Sequence, residues 1–202
     1  MLMCGKITLF SSLPVENKEN LFDKVKKDLA DFIEEFRDMI TNIEKIQFNV
    51  DLAMLYVTST HYEEVIDVYE SVLSTQEYAK LSDFYNKLGF QMKNITKSMD
   101  FKPIKNLPPA TAEQKEKLAN VIKDLYAVTD IKKIKEFQAK KLKSSAAFKE
   151  FYDIFQSDEA HDLLKNFMEN PQVDKLFKFY EKYGIPMLDL YVFHAKISFF
   201  LF

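Results

Sequence analysis

The sequence predicts an all-α fold arranged as two tandem helical repeats, and three observations predict it. Glycine occurs only three times in 202 residues, while Lys, Glu, Leu, Ala and Met are plentiful; that balance favours helix over sheet. Apolar residues recur at the helical spacing, as in Tyr62, Val65, Ile66, Tyr69, Val72 and Leu73, which fall on one face of a 3.6-residue period. The chain also repeats itself: "FYNKLGF" (84–90) returns as "FYEKYGI" (179–185), and "KDLADF" (27–32) as "KDLYAV" (123–128). An internal repeat of this length decides the architecture before any local detail does.

The elements follow in order. Residues 1–16 read as a leader or a degenerate or truncated signal, because "MLMCGKITLFSSLP" is apolar but is cut by Gly5 and Lys6 and has no cationic start. Residues 17–99 form repeat one, 100–117 a linker holding three of the six prolines, and 118–202 repeat two, the two repeats making one globular unit. Helices of about 8 to 16 residues are expected. Start signals of the capping-box type are predicted at Thr41–Glu44, Thr60–Glu63, Ser74–Glu77 and Thr111–Gln114, with Asn170-Pro171 as an N-cap and first-turn proline. Gly89 and Gly184 each follow an apolar stripe and are predicted to end a helix in the left-handed conformation. A last helix is expected over 90–99 in the first repeat and over 186–200 in the second. The second is apolar nearly all round, which predicts that other helices surround it.

Charge and motifs exclude several classes. The formal charge is −3 with both signs interspersed, so nucleic acid is not an expected partner. The densest basic run, "KKIKEFQAKKLK" (132–143), admits contact with a membrane surface. One cysteine, Cys4, allows neither a disulfide framework nor a cysteine zinc site. "DEAHD" (158–162) spells a helicase box but has no Gly-rich phosphate loop to serve, and reads instead as a helix start capped by Ser157. His61, His161 and His194 have no metal-ligand spacing, no nucleophile elbow occurs, and adjacent carboxylates such as Glu63 and Glu64 diverge on a helix. No metal, cofactor or catalytic constellation is expected. Asn94-Ile95-Thr96 is a glycosylation sequon that matters only in a secreted chain. Nineteen Phe, ten Tyr and eight Met without Trp are more soft apolar side chains than a set of short helices needs, and they suit an internal apolar chamber.

The phrases "LYVTSTHYEEVIDVYESVLSTQEYAKLSDFYNKLGF" (55–90) and the second Leu-x-x-Phe-Tyr-x-x-x-Gly helix end resemble the insect allergen-related repeat family. That family takes in cockroach group-one allergen, feeding-induced mosquito midgut proteins, and microvillar and nitrile-specifier proteins. The resemblance spans about residues 20 to 200. It implies an all-α capsule of two repeats, each of about five to six short helices, clasped around an apolar cavity that holds fatty acids or phospholipids. It further implies a non-enzymatic carrier, monomeric, secreted to the midgut lumen or microvillar surface and linked to digestion. A nitrile-specifier-like detoxification protein and a helical interaction scaffold are the alternatives.

The expected cavity lining lies on the inward stripes. In the first copy these give Phe32, Phe36, Ile40, Leu52, Leu55, Val65, Tyr69, Val72, Phe84, Leu88 and Ile95. In the second they give Leu125, Phe151, Phe155, Leu164, Phe167, Leu176, Tyr180, Leu188, Tyr191 and Val192.

Overall fold

The computed structural model describes residues 21–89 and 111–201, with side chains through 197. These residues form ten α-helices, and no strand occurs among them. In chain order they are α1 (Leu21–Glu35), α2 (Arg37–Thr60), α3 (Tyr62–Leu73), α4 (Gln76–Lys87), α5 (Ala112–Val128), α6 (Ile131–Ser144), α7 (Ala146–Phe155), α8 (Asp158–Met168), α9 (Pro171–Glu181) and α10 (Met187–Leu201). The fold is all-α, as the composition and periodicity predict. The leader, the 90–99 segment with Ile95 and the sequon, and the start of the linker lie outside the described residues.

Several helix starts are where the side chains place them. Thr111 accepts from the Gln114 amide at 3.2 Å while the Gln114 side chain accepts from the Thr111 amide at 2.8 Å, so two orphan donors are satisfied reciprocally. Ser157 takes the Ala160 amide and Asn170 takes the Gln172 amide ahead of Pro171. The other three predicted boxes fail for one reason, that the chain is still helical at the expected cap. Thr41 lies inside α2, which starts at Arg37 after the uncapped Phe36. The Thr60 hydroxyl donates back to the Tyr56 carbonyl at 2.9 Å, so α3 begins after His61. Ser74 keeps helical angles (φ −81°, ψ −6°), whereas Thr75 is extended and takes the Tyr78 amide. Helix α2 runs 24 residues and α5 17, beyond the expected range, and α5 begins within the stretch read as linker.

Both repeated glycines have positive φ, 95° at Gly89 and 81° at Gly184. A residue without Cβ adopts that conformation at little cost. Beyond Gly184 the Ile185 amide returns to the Tyr180 carbonyl at 3.2 Å, which closes the helix end and buries Ile185 completely.

Helices from the two halves pack on each other in pairs: α1 on α7, α2 on α5, α3 on α9 and α4 on α8. Helix α10 lies against α5, α6 and α9. The largest apolar cluster joins α2, α3, α4, α5, α8, α9 and α10 through residues such as Val50, Tyr69, Leu125, Phe167, Tyr180 and Phe193. Three smaller clusters adjoin it: Tyr85 and Leu163 pack against both it and the Phe84 group, and Ile197 against both it and the Phe32 group. A large core with smaller satellite clusters is the ordinary arrangement of a single domain.

Candidate ligand-binding site

The apolar stripes assign most of the expected lining to real buried positions, but in separate groups. Val65, Tyr69, Val72, Leu125, Phe167, Leu176 and Tyr180 meet in the main cluster, with Leu164 against it. Phe151 is buried with Phe22, Val25 and Leu29, and Phe155 borders both this group and the one formed by Phe84, Leu88 and Ala160. Phe32 and Phe36 stack at 4.5 Å between centroids and meet Ile134 and Phe137, with Ile40 alongside.

Two stretches depart from expectation. On α2 the buried face is Val50, Met54 and Val57, at i, i+4 and i+7, whereas Leu52 and Leu55 are half-buried. At 100° per residue they sit on nearly the opposite side of the helix, so they belong to a second stripe that the core does not use. The last helix is not surrounded on all sides. Leu190 and Phe193 are buried and Ile197 packs inward, but Leu188 and Val192 keep 50% and 39% of their surface accessible. The inward residues and the pair Leu188 and Val192 therefore occupy opposed faces of α10, and both faces are apolar.

Tyr191 flanks the accessible face of α10, with its ring 6.1 Å from Phe177. Burial pushes its hydroxyl above the usual tyrosine range. The same effect is larger at Tyr85 on α4, where burial, reinforced by the neighbouring Tyr191, lifts the hydroxyl to about 12. Tyr85 nevertheless keeps part of its surface accessible, and so does Tyr191. Its ring lies 5.8 Å from Phe84 and 6.0 Å from Phe155. These tyrosines are thus largely surrounded by protein and still not fully covered. Leu163 packs in the same small cluster as Tyr85, and the half-buried Leu164, Met168 and Phe177 pack against the main cluster.

Polar side chains also meet inside the protein. Thr58 on α2 lies 2.9 Å from the Tyr180 hydroxyl, which in turn lies 3.3 Å from the Tyr69 hydroxyl, all three buried. His194 sits 3.4 Å from Gln47, and burial lowers its pKa despite the opposing pull of Asp51. A helix period flags Thr58 as an inward position beside Met54 and Val57, but a single Thr among apolar residues carries no signal of a partner 122 positions away. Two open surface clefts of about 430 and 340 Å³ are lined largely by charged groups, including Glu34, Arg37 and Lys133 in one and Lys45, Lys117 and Asp124 in the other. Neither suits an acyl chain. Among the described residues no group of three or more His, Cys, Asp or Glu side chains is placed to hold a metal ion, and no helix is long and apolar enough to cross a membrane.

A family model described as "Insect allergen related repeat, nitrile-specifier detoxification" matches residues 33–191. The chain belongs to the insect allergen-related repeat family. The matched span of this family member runs from the last turn of α1 to Tyr191 in α10, so it takes in both halves and the tyrosine pair. No curated protein and no solved structure matches the chain.

Proposed function

We propose that this insect allergen-related repeat protein binds and carries a lipid or fatty acid in its apolar interior, without acting on it chemically. The observation that carries the reading is the accessible apolar face of α10, where Leu188 and Val192 lie beside Tyr191, and where burial perturbs Tyr191 and Tyr85 although neither is fully covered. Apolar surface left uncovered in such a setting is a place for a ligand. Binding would rest on burying acyl methylenes at about 0.8 kcal/mol each, with little polar selection. The reciprocal packing of helices across the halves, α3 on α9 and α4 on α8, supports a clasp of two repeats around that interior. The setting that accompanies the reading is the insect midgut lumen or microvillar surface, in the service of digestion.

Mass spectrometry of an organic extract of the purified native protein tests the proposal. Co-purifying acyl species, and displacement of a fluorescent fatty acid by them, are the expected result. An extract without acyl species, together with no displacement, overturns it.

The family description names nitrile-specifier detoxification, and that favours a second reading, diversion of glucosinolate breakdown products. A changed ratio of nitrile to isothiocyanate when the protein is added to a myrosinase reaction would establish it in place of the first.

A further inference from the structure

Helix α10 meets α5, α6 and α9 through apolar groups. Its Phe193 ring stands edge-on to Tyr126 of α5 at 5.2 Å, Ile197 packs with Ile134 and Phe137 of α6, and Tyr191 lies 6.1 Å from Phe177 of α9. None of those contacts changes charge below pH 7. The charged side chains of α10, Asp189 and Lys196, are exposed, and Lys196 turns to the Tyr126 hydroxyl at 3.3 Å.

The contact with α2 is different. There the His194 ring faces Gln47, Nε2 to Oε1 at 3.4 Å, and the Gln47 side chain donates in turn to Asp51 at 3.3 Å. Because the Gln47 amide nitrogen turns to Asp51, its oxygen is left to accept from the ring, so neutral His194 carries its proton on Nε2. A second proton, on Nδ1, makes a cation in a largely covered position, and burial disfavours it. Among the described residues packed on α10, Asp51 is the charged group that acts on the ring, and it favours the cation less than burial opposes it. A ring that has left the contact binds its proton at about pH 6.5, so protonation draws the ring out of place.

We infer that His194 is an acid-operated latch between α10 and α2: neutral, it holds the two helices together, and protonated, it lets α10 go. Ile185, fully buried just ahead of α10, keeps the start of the helix in place, so the part beyond Phe193 is what opens. The accessible face with Leu188 and Val192 then no longer stands where the closed latch sets it. On the carrier reading, on which this last consequence rests, acid weakens the hold on a lipid. The latch itself requires no cargo.

Hydrogen exchange of the full chain, read by mass spectrometry at pH 7 and pH 5 and corrected for the intrinsic rate, is the test. One proton bound in the open position alone speeds opening by at most about 25-fold over that interval, so peptides covering 190–201 should exchange faster at pH 5 within that ceiling. Peptides from α3 should not change. His194→Gln can still bond Gln47 but does not titrate, so its 190–201 peptide should ignore acid. Asp51→Asn withdraws the charge that favours the cation in place, and should make the same peptide respond more than in the parent. Circular dichroism at pH 7 checks that both variants fold. A parent peptide that ignores acid, an equal response in parent and His194→Gln, or an Asp51→Asn response below the parent's overturns the inference. Fluorescent fatty-acid titration at the same two pH values reads the cargo separately: affinity that falls with acid in the parent and not in His194→Gln supports acid release, whereas no binding at either pH sinks the carrier reading while exchange still decides the latch.

Discussion

Lys141 of α6 donates to Asp28 of α1 at 2.8 Å, across 113 positions of chain, and both side chains are nearly buried. The same ammonium reaches Asp31 at 2.5 Å, and the second Asp28 oxygen accepts from Ser145 at 2.7 Å. Ser145 is at once the end of α6 and the cap of α7, where it takes the Phe148 amide. A charged pair thus fixes the corner between two helices. At the sequence offset of the repeat (Lys27 answering Lys123), Ser145 corresponds to Asn49, whose side chain donates back to the Lys45 carbonyl while α2 continues unbroken.

Removing one member of that cluster should cost more than removing the pair. Asp28→Ala leaves Lys141 with only the half-exposed Asp31 and takes the acceptor from Ser145, and an uncompensated charge in a buried site costs about 3 to 5 kcal/mol. Partial exposure lowers the expected loss to about 2 to 3 kcal/mol. The double variant Asp28→Leu with Lys141→Met should recover much of it. Urea denaturation of the three proteins measures the difference, and equal losses in the single and double variants would contradict a buried pair.

Acid should loosen the α1 corner and the α10 contact for opposite electrostatic reasons. The hydrogen bond from Lys141 holds the Asp31 carboxyl below its usual range. Stability from that pair is present above the ordinary aspartate range and lost as pH falls through the lowered value. Burial lowers His194, so the folded state resists protonating it. The unfolded chain then binds the proton first, and stability declines as pH drops below about 6.5, the ordinary histidine value. Melting temperature measured between neutral pH and pH near 5 should fall for the parent, and less for His194→Gln, which lacks the titrating ring.

Gly184 isolates backbone strain from packing. A Cβ built there meets nothing within 4 Å, so substitution costs only the left-handed conformation at φ 81°. Gly184→Ala should lose about 1 to 2 kcal/mol, and Gly184→Val more, because branching at Cβ worsens that conformation. Gly184→Asn should be the mildest. Thermal melts rank the three. A valine variant as stable as the parent would show that the turn relaxes to another conformation.

Where sequence and structure agree, a local rule was sufficient. Capping at Thr111, Ser157 and Asn170, left-handed glycines, and the faces of α3, α4 and α9 all depend on residues within one or two turns. Disagreement begins where two local solutions compete. Helix α2 has two apolar stripes, and only contact with α5 decides that Val50, Met54 and Val57 turn inward instead of Leu52 and Leu55. The Thr60 and Ser74 boxes lose because their residues are still helical, and no short-range pattern records that. In the candidate site, Tyr180 and Tyr69 were legible as inward positions, but their link through Thr58 and the pairing of Tyr85 with Tyr191 join distant segments. Tertiary contacts of that kind leave no trace in spacing.

The accessible face of α10 yields the sharpest test of ligand binding, because it separates affinity from stability. Leu188 is half exposed, so Leu188→Ala forfeits little packing within the protein and should change folding stability by less than about 1 kcal/mol. If an acyl chain covers that face, the same change removes three carbons, about half of whose surface is free to meet the chain, at about 0.8 kcal/mol each, which is roughly a tenfold loss of affinity. Val192→Asp sets a charge against the chain and should reduce binding further while the protein still folds. Phe193→Ala, at a buried position on the other side of the helix, should do the reverse and lower stability by about 3 to 5 kcal/mol. Fluorescent fatty-acid titration alongside urea denaturation reads both quantities. Leu188→Ala and Val192→Asp proteins that bind as tightly as the parent would place the ligand away from α10.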